Sequence, residues 1–368
     1  MDYNFKELAH PGIRTLKPYI PGKTIEEVAK EHGVTDIIKL ASNENAWGCS
    51  PAVHDALSNL SNQTLSLYPQ SVNHALRQKL AEFLGIEADM LMLSNGSDLI
   101  YGLLLTCFAL QSDKHVLTHR YAFSTYEIQA NTLGIPIVIT PTNNWRVDID
   151  AILDTCNVKT ALIFLANPNN PTGLLINHAD ITRLLNGIPK TTLLVVDEAY
   201  YEYAYAEYQA NTIELLAKHP NLIITRTFSK AYGLAGLRLG YAIADPQIIN
   251  LLYSIQLPFT VNIAAMTAAQ AALDDQLFIK KTIRLTKDGI TQMQQGLDEL
   301  GISYLPTSGN FITMDCNTDG NIVFQQLQKY GIIVRPLHPY AMNNYLRVTI
   351  GTEEQNNRFI KTIQQLGS

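Results

Sequence analysis

The feature of this chain that most restricts its fold is an alternation of short apolar segments with segments of helical periodicity between about residues 52 and 257. Segments 160–165, 192–196 and 221–225 are rich in aliphatic and β-branched residues and show no polar alternation, and shorter strand candidates lie at 114–117 and 135–139. Strands of this composition occur where helices cover both faces of a sheet. The pattern therefore predicts an α/β domain with a mainly parallel sheet covered by helices.

The pattern changes after Pro258. A long helical region is predicted over 262–300, followed by short strands at 311–314, 332–334 and 345–349 and a closing helix at 353–366. This order is typical of a smaller α+β domain. We therefore predict three parts: an N-terminal arm (1–45) that packs on the small domain, a large domain (46–257) and a small C-terminal domain (258–368).

Charge and composition exclude several classes of protein. The chain has 368 residues and a net charge of −6, which disfavours nucleic acid or an anionic membrane as partner. The longest apolar stretch, near 99–110, is too short to span a membrane, and no apolar run of a signal peptide follows the N-terminus. The four cysteines are scattered and the nine histidines dispersed, so no metal site is predicted. We expect a cytoplasmic protein with reduced thiols.

A lysine flanked by hydroxyl groups is the first candidate functional residue. Lys230 ends the run Thr227-Phe228-Ser229-Lys230, and Arg238 follows eight residues later. A deprotonated lysine amine can condense with an aldehyde, and hydroxyl groups with a guanidinium can hold a phosphate. Taken alone, the segment is more typical of a solvated surface lysine.

Two further motifs follow short apolar segments. Gly96-Ser97-Asp98 precedes an apolar helix and suits an anion site of backbone N–H groups, although Ser97 capping the helix is an equal alternative. Asn170 lies in the loop Asn167-Pro168-Asn169-Asn170-Pro171-Thr172-Gly173. That loop is either an ordinary turn or a rigid support that points the Asn170 amide into a cleft, for which a cis Asn170–Pro171 bond is one route.

Charged residues at strand ends and within strands complete the set. Asp197 follows an apolar strand, where a buried carboxylate needs a partner such as a protonated pyridine nitrogen, and Tyr200 can donate to a ring phenolate. Helix capping is the alternative role for Asp197. Arg347, and with a weaker case Arg335, interrupt apolar strands of the predicted small domain. They suit capture of a carboxylate or phosphate, or else lie on a solvated face or in an internal ion pair.

Together these groups match the requirements of pyridoxal 5'-phosphate: an amine for its aldehyde, an acid for its ring nitrogen, a donor for its ring hydroxyl and an anion site for its phosphate. The sequence contains no G-x-G-x-x-G fingerprint and no Walker A motif, which counts against a nicotinamide or ATP enzyme. The chain resembles the fold-type I pyridoxal-phosphate aminotransferases in Asn170-Pro171-Thr172-Gly173, Asp197 with Tyr200, Ser229-Lys230 with Arg238, and Arg347. Because parallel strands end at one edge of a sheet, we expect one shared cleft.

Within that group the resemblance to histidinol-phosphate aminotransferases covers nearly the whole chain. It rests on the following segments: His10-Pro11-Gly12-Ile13, Pro18-Tyr19-Ile20-Pro21-Gly22-Lys23, Leu40-Ala41-Ser42-Asn43-Glu44-Asn45, Tyr68-Pro69, Gly96-Ser97-Asp98, Tyr121-Ala122-Phe123, Pro258-Phe259 and Leu346-Arg347-Val348-Thr349-Ile350-Gly351. The chain departs from the family pattern at 46–49, Gln70 and Leu99, which puts the shape of the substrate entrance in question.

The resemblance also implies roles and partners. Tyr121 would stack on the cofactor ring, Tyr68 would reach the cofactor phosphate of the other subunit in a homodimer, and Tyr19 and Asn43 would join Arg335 and Arg347 at the substrate. The implied reaction exchanges the amino group between histidinol phosphate and 2-oxoglutarate/glutamate in histidine biosynthesis. An aromatic amino-acid aminotransferase, a phospho-amino-acid decarboxylase and a catalytically silent regulator are the alternatives.

Overall fold

The computed structural model describes residues 5–14, 16, 23–70, 72, 74–208 and 211–367. Within them the strands are β1 (Ile38–Lys39), β2 (Leu91–Ser94), β3 (His115–His119), β4 (Ile137–Thr140), β5 (Thr142–Asn143), β6 (Arg146–Val147), β7 (Thr160–Ala166), β8 (Leu193–Asp197), β9 (Leu222–Thr227), β10 (Gly240–Ile243), β11 (Tyr304–Leu305), β12 (Phe311–Asp315), β13 (Ile332–Ile333), β14 (Arg335–Pro336) and β15 (Tyr345–Thr349).

The α-helices of the same residues are α1 (Phe5–Leu8), α2 (Pro11–Arg14), α3 (Ile25–His32), α4 (Pro51–Ser58), α5 (Asn62–Leu65), α6 (Ala75–Leu84), α7 (Asp98–Phe108), α8 (Thr125–Thr132), α9 (Ile149–Thr155), α10 (His178–Gly187), α11 (Tyr201–Tyr208), α12 (Pro246–Ile255), α13 (Ile263–Asp274), α14 (Gln276–Glu299), α15 (Gly320–Lys329) and α16 (Glu353–Gly367). Short 3₁₀ helices lie at Ala88–Met90, Thr212–Leu215, Ala235–Leu237 and His338–Tyr340.

A seven-stranded sheet in the order β2-β10-β9-β8-β7-β3-β4 forms the centre of the large domain. The strands from β9 to β4 pair in parallel, whereas β10 runs antiparallel to both β9 and β2. The predicted mainly parallel sheet is therefore confirmed. The reversed strand β10 was not among the predicted strands.

Both faces of this sheet are apolar and covered. In β7, Ile163 and Leu165 belong to one buried cluster, whereas Leu162 and Phe164 belong to the other. Successive side chains of a strand point to opposite faces, so each face of the sheet has its own core. This explains why the central strands show no polar alternation in the sequence.

The part of the chain predicted as the small domain contains a four-stranded antiparallel sheet in the order β11-β12-β15-β14. Its core includes Ile312 and Val348 from the sheet with Leu297 and Phe359 from α14 and α16. The helical region predicted over 262–300 is two helices, because Asp275 interrupts it and caps α14 by accepting the N–H of Phe278.

The N-terminal arm contacts both domains. β1 pairs in parallel with β13 of the small domain, and α3 packs on α15. Farther towards the N-terminus, α2 lies on α8 of the large domain, where Gly12 packs so closely that a β carbon would lie 2.0 Å from the Asn131 carbonyl oxygen. The division into three parts stays a prediction, and the described arm does not contact the small domain alone.

Three further properties of the described residues concern membrane-spanning helices, metal sites and disulfide bonds. Among them no helix combines the length and hydropathy needed to cross a bilayer. The same residues contain no group of three or more His, Cys, Asp or Glu side chains arranged for a metal ion. All four cysteines are free thiols.

Candidate active site

The candidate site lies where several strands of the large sheet end. Asn167 follows β7, Asp197 ends β8, and Lys230 lies three residues beyond β9. Because β7, β8 and β9 are parallel neighbours, their carboxyl ends share one edge of the sheet. The motifs that contain Asn167, Asp197 and Lys230 therefore lie at one edge of the sheet, as predicted.

Lys230 lies partly buried in this cleft. Its Nζ donates a hydrogen bond to the carbonyl oxygen of Ser42 (3.2 Å) and lies 5.6 Å from the centre of the Tyr200 ring. Burial, and then the positive charge of Arg347, lower the pKa of Lys230 to about 8. The amine therefore loses its proton more easily than a surface lysine, as a nucleophile or proton acceptor requires.

Asp197 is a buried carboxylate whose described hydrogen-bond donors are all neutral. Its Oδ2 accepts the hydroxyl of Tyr126 (2.7 Å), and its Oδ1 accepts the N–H of Ala199 (3.2 Å) and the hydroxyl of Thr225 (3.4 Å). Burial raises the pKa of Asp197 to about 6. The bond from Ala199 is local, as in helix capping, but the bonds from α8 and β9 go beyond a cap. A buried carboxylate with neutral donors is suited to a cationic partner such as a protonated ring nitrogen.

Tyr200 is held as a neutral phenol beside the lysine. Asn43 donates from Nδ2 to the Tyr200 oxygen (2.8 Å), and burial raises the pKa of Tyr200 to about 12. Asn43 has a φ of 55° and is fixed by a bond from its own N–H to the Thr349 hydroxyl (2.9 Å). The arm and the small domain together therefore position this phenol.

Arg347 joins the small domain to the large domain and the arm. Its Nη1 donates to Oδ1 of Asn170 (2.6 Å), and its Nη2 donates to the carbonyl oxygen of Ala41 (2.7 Å). The Asn170–Pro171 and Asn167–Pro168 bonds are both cis. Arg335 lies opposite Arg347 across the β14–β15 pair. The two arginines therefore occupy paired positions on the same face of this sheet.

The phosphate-binding candidates form a connected group. Thr227 donates to the Ser229 hydroxyl (3.0 Å), Arg238 approaches the same hydroxyl (3.4 Å), and Asp98 lies 3.6 Å from Arg238. Gly96 has a φ of +80°, and a β carbon there would lie 2.6 Å from Nη2 of Arg238. The positive φ favours glycine at this position, and a β carbon would force the Arg238 guanidinium to move.

Ser97, immediately after Gly96, is the residue before α7, but its side chain makes no capping hydrogen bond. The Ser97 side chain therefore does not cap α7, in contrast to the alternative role considered from the sequence. Its hydroxyl and the N–H groups at the start of α7 remain suited to an anion.

Tyr121 and Tyr68 occupy different settings, and Tyr19 lies outside the described residues. Tyr121 has a φ of 63°, and its ring lies 4.8 Å from that of Trp145. Its carbonyl oxygen accepts a hydrogen bond from Asn169 (2.9 Å). Tyr68 is 82% exposed and stacks on Phe259 at 4.6 Å, on the molecular surface.

The residues present fit pyridoxal 5'-phosphate. Asp197 lacks a cationic partner among its described contacts, Gly96 leaves space at Arg238, and Lys230 has a depressed pKa. Tyr126 and Asn169 were not among the predicted site residues. A buried tyrosine in a first helical turn has no distinguishing sequence signal, whereas Asn169 lies in the loop that the sequence singled out.

Comparisons with known proteins agree on the fold and on the family. The model of the family "Aminotransferase class I and II" matches residues 35–363. The chain belongs to this family of aminotransferases. It is 55% identical over 365 residues to "Histidinol-phosphate aminotransferase 2" of Legionella pneumophila (strain Lens), with 99% of each chain covered.

Two further similarities point the same way. The chain is 41% identical over 354 residues to "Histidinol-phosphate aminotransferase" of Geobacillus sp. (strain WCH70), with 96% of each covered. The crystal structure of histidinol-phosphate aminotransferase from Sinorhizobium meliloti in complex with pyridoxal-5'-phosphate superposes with a TM-score of 0.87 at 28% identity, covering 97% of both chains. The predicted fold type and the predicted family resemblance are confirmed.

Proposed function

We propose that this protein uses pyridoxal 5'-phosphate to transfer the amino group of L-histidinol phosphate to 2-oxoglutarate, giving imidazole acetol phosphate and glutamate. The observation that carries the substrate is the 55% identity along 99% of the chain to a relative named for histidinol phosphate. The reaction is supported by the convergence of Lys230, Asp197, Tyr200 and Arg347 on one cleft.

Each end of the cofactor would have its own residues. Asp197 would hold the ring nitrogen, while Tyr200 and Asn170 would hold the ring hydroxyl. Tyr121 would stack on the ring. The phosphate would be bound by groups at the start of α7 and after β9: Gly96, Ser97, Asp98, Thr227, Ser229 and Arg238.

The cofactor, when bound, supplies an electron-accepting ring that stabilises negative charge at the carbon bearing the substrate amine. Lys230 Nζ takes the proton released from that carbon, which its lowered pKa of about 8 permits near neutral pH. Asp197 as a carboxylate keeps the ring nitrogen protonated. Arg347, with Arg335, Asn43 and Tyr19, would bind the carboxylate of glutamate in one half-reaction and the phosphate of histidinol phosphate in the other.

We also propose a cytoplasmic homodimer in which Tyr68 reaches the cofactor phosphate of the other subunit. The support is the exposure of Tyr68 (82%) together with Leu67 (63%), Leu257 (79%) and Phe259 (43%). An apolar surface of this kind is typical of a protein–protein contact. The free thiols are consistent with a reducing compartment.

Steady-state kinetics with a panel of substrates tests this proposal. Purified protein supplied with pyridoxal phosphate is expected to have a far higher kcat/KM for histidinol phosphate than for phenylalanine, with 2-oxoglutarate as acceptor. Preference for phenylalanine would indicate an aromatic aminotransferase. Carbon dioxide released from threonine phosphate would indicate a decarboxylase.

Lys230→Ala tests the catalytic assignment in the same assay. Removing the amine eliminates the covalent attachment and the proton acceptor, so turnover should fall by about 10⁴-fold or more and the visible absorbance of the bound cofactor should shift. Lys281→Ala, an exposed lysine on α14, is the matched control and should behave as wild type. A Lys230→Ala protein with wild-type turnover would refute the assignment.

A further inference from the structure

Tyr126 is a buried phenol that touches the candidate acid of the site. It lies in the first turns of α8, is fully buried, and donates its hydroxyl to Oδ2 of Asp197 at 2.7 Å. This is the shortest of the described hydrogen bonds to Asp197; those from Ala199 and Thr225 measure 3.2 and 3.4 Å and reach the other oxygen. No predicted motif contains Tyr126.

The surrounding core fixes the position of this hydroxyl. The Tyr126 ring stacks on Phe164 at 5.1 Å and meets the edges of Tyr101 (5.0 Å) and Phe123 (5.7 Å). Rings packed on several sides cannot rotate away without opening a cavity. The oxygen is therefore held in place by the core and needs no other polar contact to orient it.

Two tyrosine hydroxyl groups, those of Tyr126 and Tyr101, lie near the Asp197 carboxylate. The Tyr101 hydroxyl faces Thr225 Oγ1 at 3.4 Å, and both tyrosines act to lower the pKa of Asp197 against the larger effect of burial. The other titratable groups that act on this carboxylate or respond to it are Asp98 and Tyr200. Asp98 raises the pKa of Asp197, so the two phenols are the side chains of this set that favour its charge.

We propose that Tyr126, supported by Tyr101, is a positioning residue for catalysis: its hydroxyl fixes Oδ2 of Asp197 and favours the carboxylate that holds the protonated ring nitrogen. The inference rests on the proposed function. A hydrogen bond to a charged group stabilises that charge more than one between neutral groups does. Without this donor the buried acid takes up a proton itself and no longer keeps the ring nitrogen positive.

Tyr126→Phe in the cofactor-loaded enzyme separates this role from packing, because phenylalanine keeps every ring contact. We expect kcat to fall about tenfold or more with little change in KM, since a hydrogen bond to a charged group is worth roughly that factor or more. The acid limb of the pH profile of kcat should move to higher pH, and the cofactor should dissociate more readily. Tyr253→Phe, which removes a phenol bonded to the backbone of β2, is the control and should leave all three unchanged.

A double-mutant cycle distinguishes positioning from general destabilisation. In an Asp197→Asn background there is no carboxylate to hold, so Tyr126→Phe should have almost no further effect on kcat. An equal loss in both backgrounds, or a wild-type pH profile for Tyr126→Phe, overturns the inference. If Tyr126→Phe does not fold, Tyr101→Phe should move the acid limb in the same direction, and an unmoved limb overturns the inference.

The two proposals fail in different ways. A wild-type protein that does not transaminate refutes the proposed function before any variant is made. A wild-type protein that transaminates, with a Tyr126→Phe variant equal to Tyr253→Phe, refutes the role of Tyr126 alone.

Discussion

Burial moves two ionisable side chains of the site towards neutrality from opposite directions. It raises the pKa of Asp197 to about 6 and lowers that of Lys230 to about 8. Each charge is therefore costly in the cofactor-free protein. In the proposed function, the ring nitrogen of pyridoxal phosphate would give Asp197 a cationic partner, and Lys230 would act without its proton. The site is thus arranged for its cofactor at the expense of the stability of the empty protein.

Asp197→Asn should stabilise the cofactor-free protein while it damages the enzyme. The folded pKa of Asp197 lies above that of an unfolded aspartate, so the folded state holds more protons between about pH 4 and 6 and loses stability as pH rises through that interval. At pH 7 the variant should be more stable by about 2–3 kcal/mol, and the gain should shrink towards pH 4. Urea unfolding of both cofactor-free proteins between pH 4 and 8 measures this difference.

An exposed aspartate provides the control for that experiment. Asp288→Asn, on the surface of α14, should change the free energy of unfolding by less than about 0.5 kcal/mol at each pH. A loss of stability in Asp197→Asn at pH 7 would contradict the argument. In the loaded enzyme the same substitution should weaken cofactor binding, because the ring nitrogen loses its anionic partner.

At the scale of single residues, the sequence predicts which side chains could act chemically better than it predicts which side chains touch them. Lys230, Asp197 and Tyr200 stand out because a lysine, an acid and a phenol follow predicted strands. Tyr126 could not be predicted, because a tyrosine in an apolar helix turn is equally typical of a core residue. Its hydrogen bond to Asp197 exists only because α8 crosses the end of β8 in the folded chain.

At the scale of elements, one of the strands that were not predicted, β10, adjoins the candidate site. β10 contains only four residues and begins with glycine, so its apolar pattern is too short to recognise. β10 runs antiparallel to β9, so Ser229, Lys230 and Arg238 all lie in the single loop that connects these two strands. Gly240 opens β10 where a β carbon would lie 2.4 Å from the N–H nitrogen of Ser97. The two segments proposed to bind the cofactor phosphate can therefore approach each other.

A buried ion pair joins the ends of β8 and β9. Arg226 donates from Nε to Glu198 Oε2 at 2.8 Å, with both side chains at most 2% exposed, and its guanidinium lies 3.4 Å from the centre of the Tyr201 ring. Glu198→Ala would leave the arginine charged in the core, so we expect a loss of about 3–5 kcal/mol in the free energy of unfolding. Chemical denaturation followed by circular dichroism measures it.

A surface ion pair supplies the comparison. Asp150 pairs with Arg183 on side chains that are 72% and 49% exposed, so Asp150→Ala should cost less than about 1 kcal/mol. If Glu198→Ala cost no more than Asp150→Ala, the buried pair would not stabilise the junction of the two strands. Glu198→Gln keeps an acceptor oxygen and should fall between the two.

At the scale of the whole molecule, the site needs parts that are far apart in the chain. Arg347 bonds to Asn170 of the large domain and to Ala41 of the arm. The common edge of the parallel strands could be inferred from sequence, since topology dictates it. The placement of Arg347 could not, because it depends on how the small domain packs on the large one.

In the proposed dimer, each active site needs residues from both chains, and this requirement can be tested. Tyr68 is exposed on the surface together with Leu67, Leu257 and Phe259, and the proposal places its hydroxyl at the cofactor phosphate of the other subunit. If so, each active site combines Lys230 of one chain with Tyr68 of its partner. Two variants that are each impaired should then complement each other when mixed.

The experiment mixes Lys230→Ala with Tyr68→Phe protein after dissociation and reassembly. Tyr68→Phe keeps the stacking on Phe259 and removes only the hydroxyl. Each mixed dimer contains one site with both residues intact, so random reassembly should restore about a quarter of the wild-type sites, measured as transamination rate per dimer. The control mixes Lys230→Ala with a chain that carries both substitutions and should recover nothing. If the mixture is no more active than the Tyr68→Phe protein that it contains, Tyr68 does not act in the partner's active site. That result would refute the shared active site.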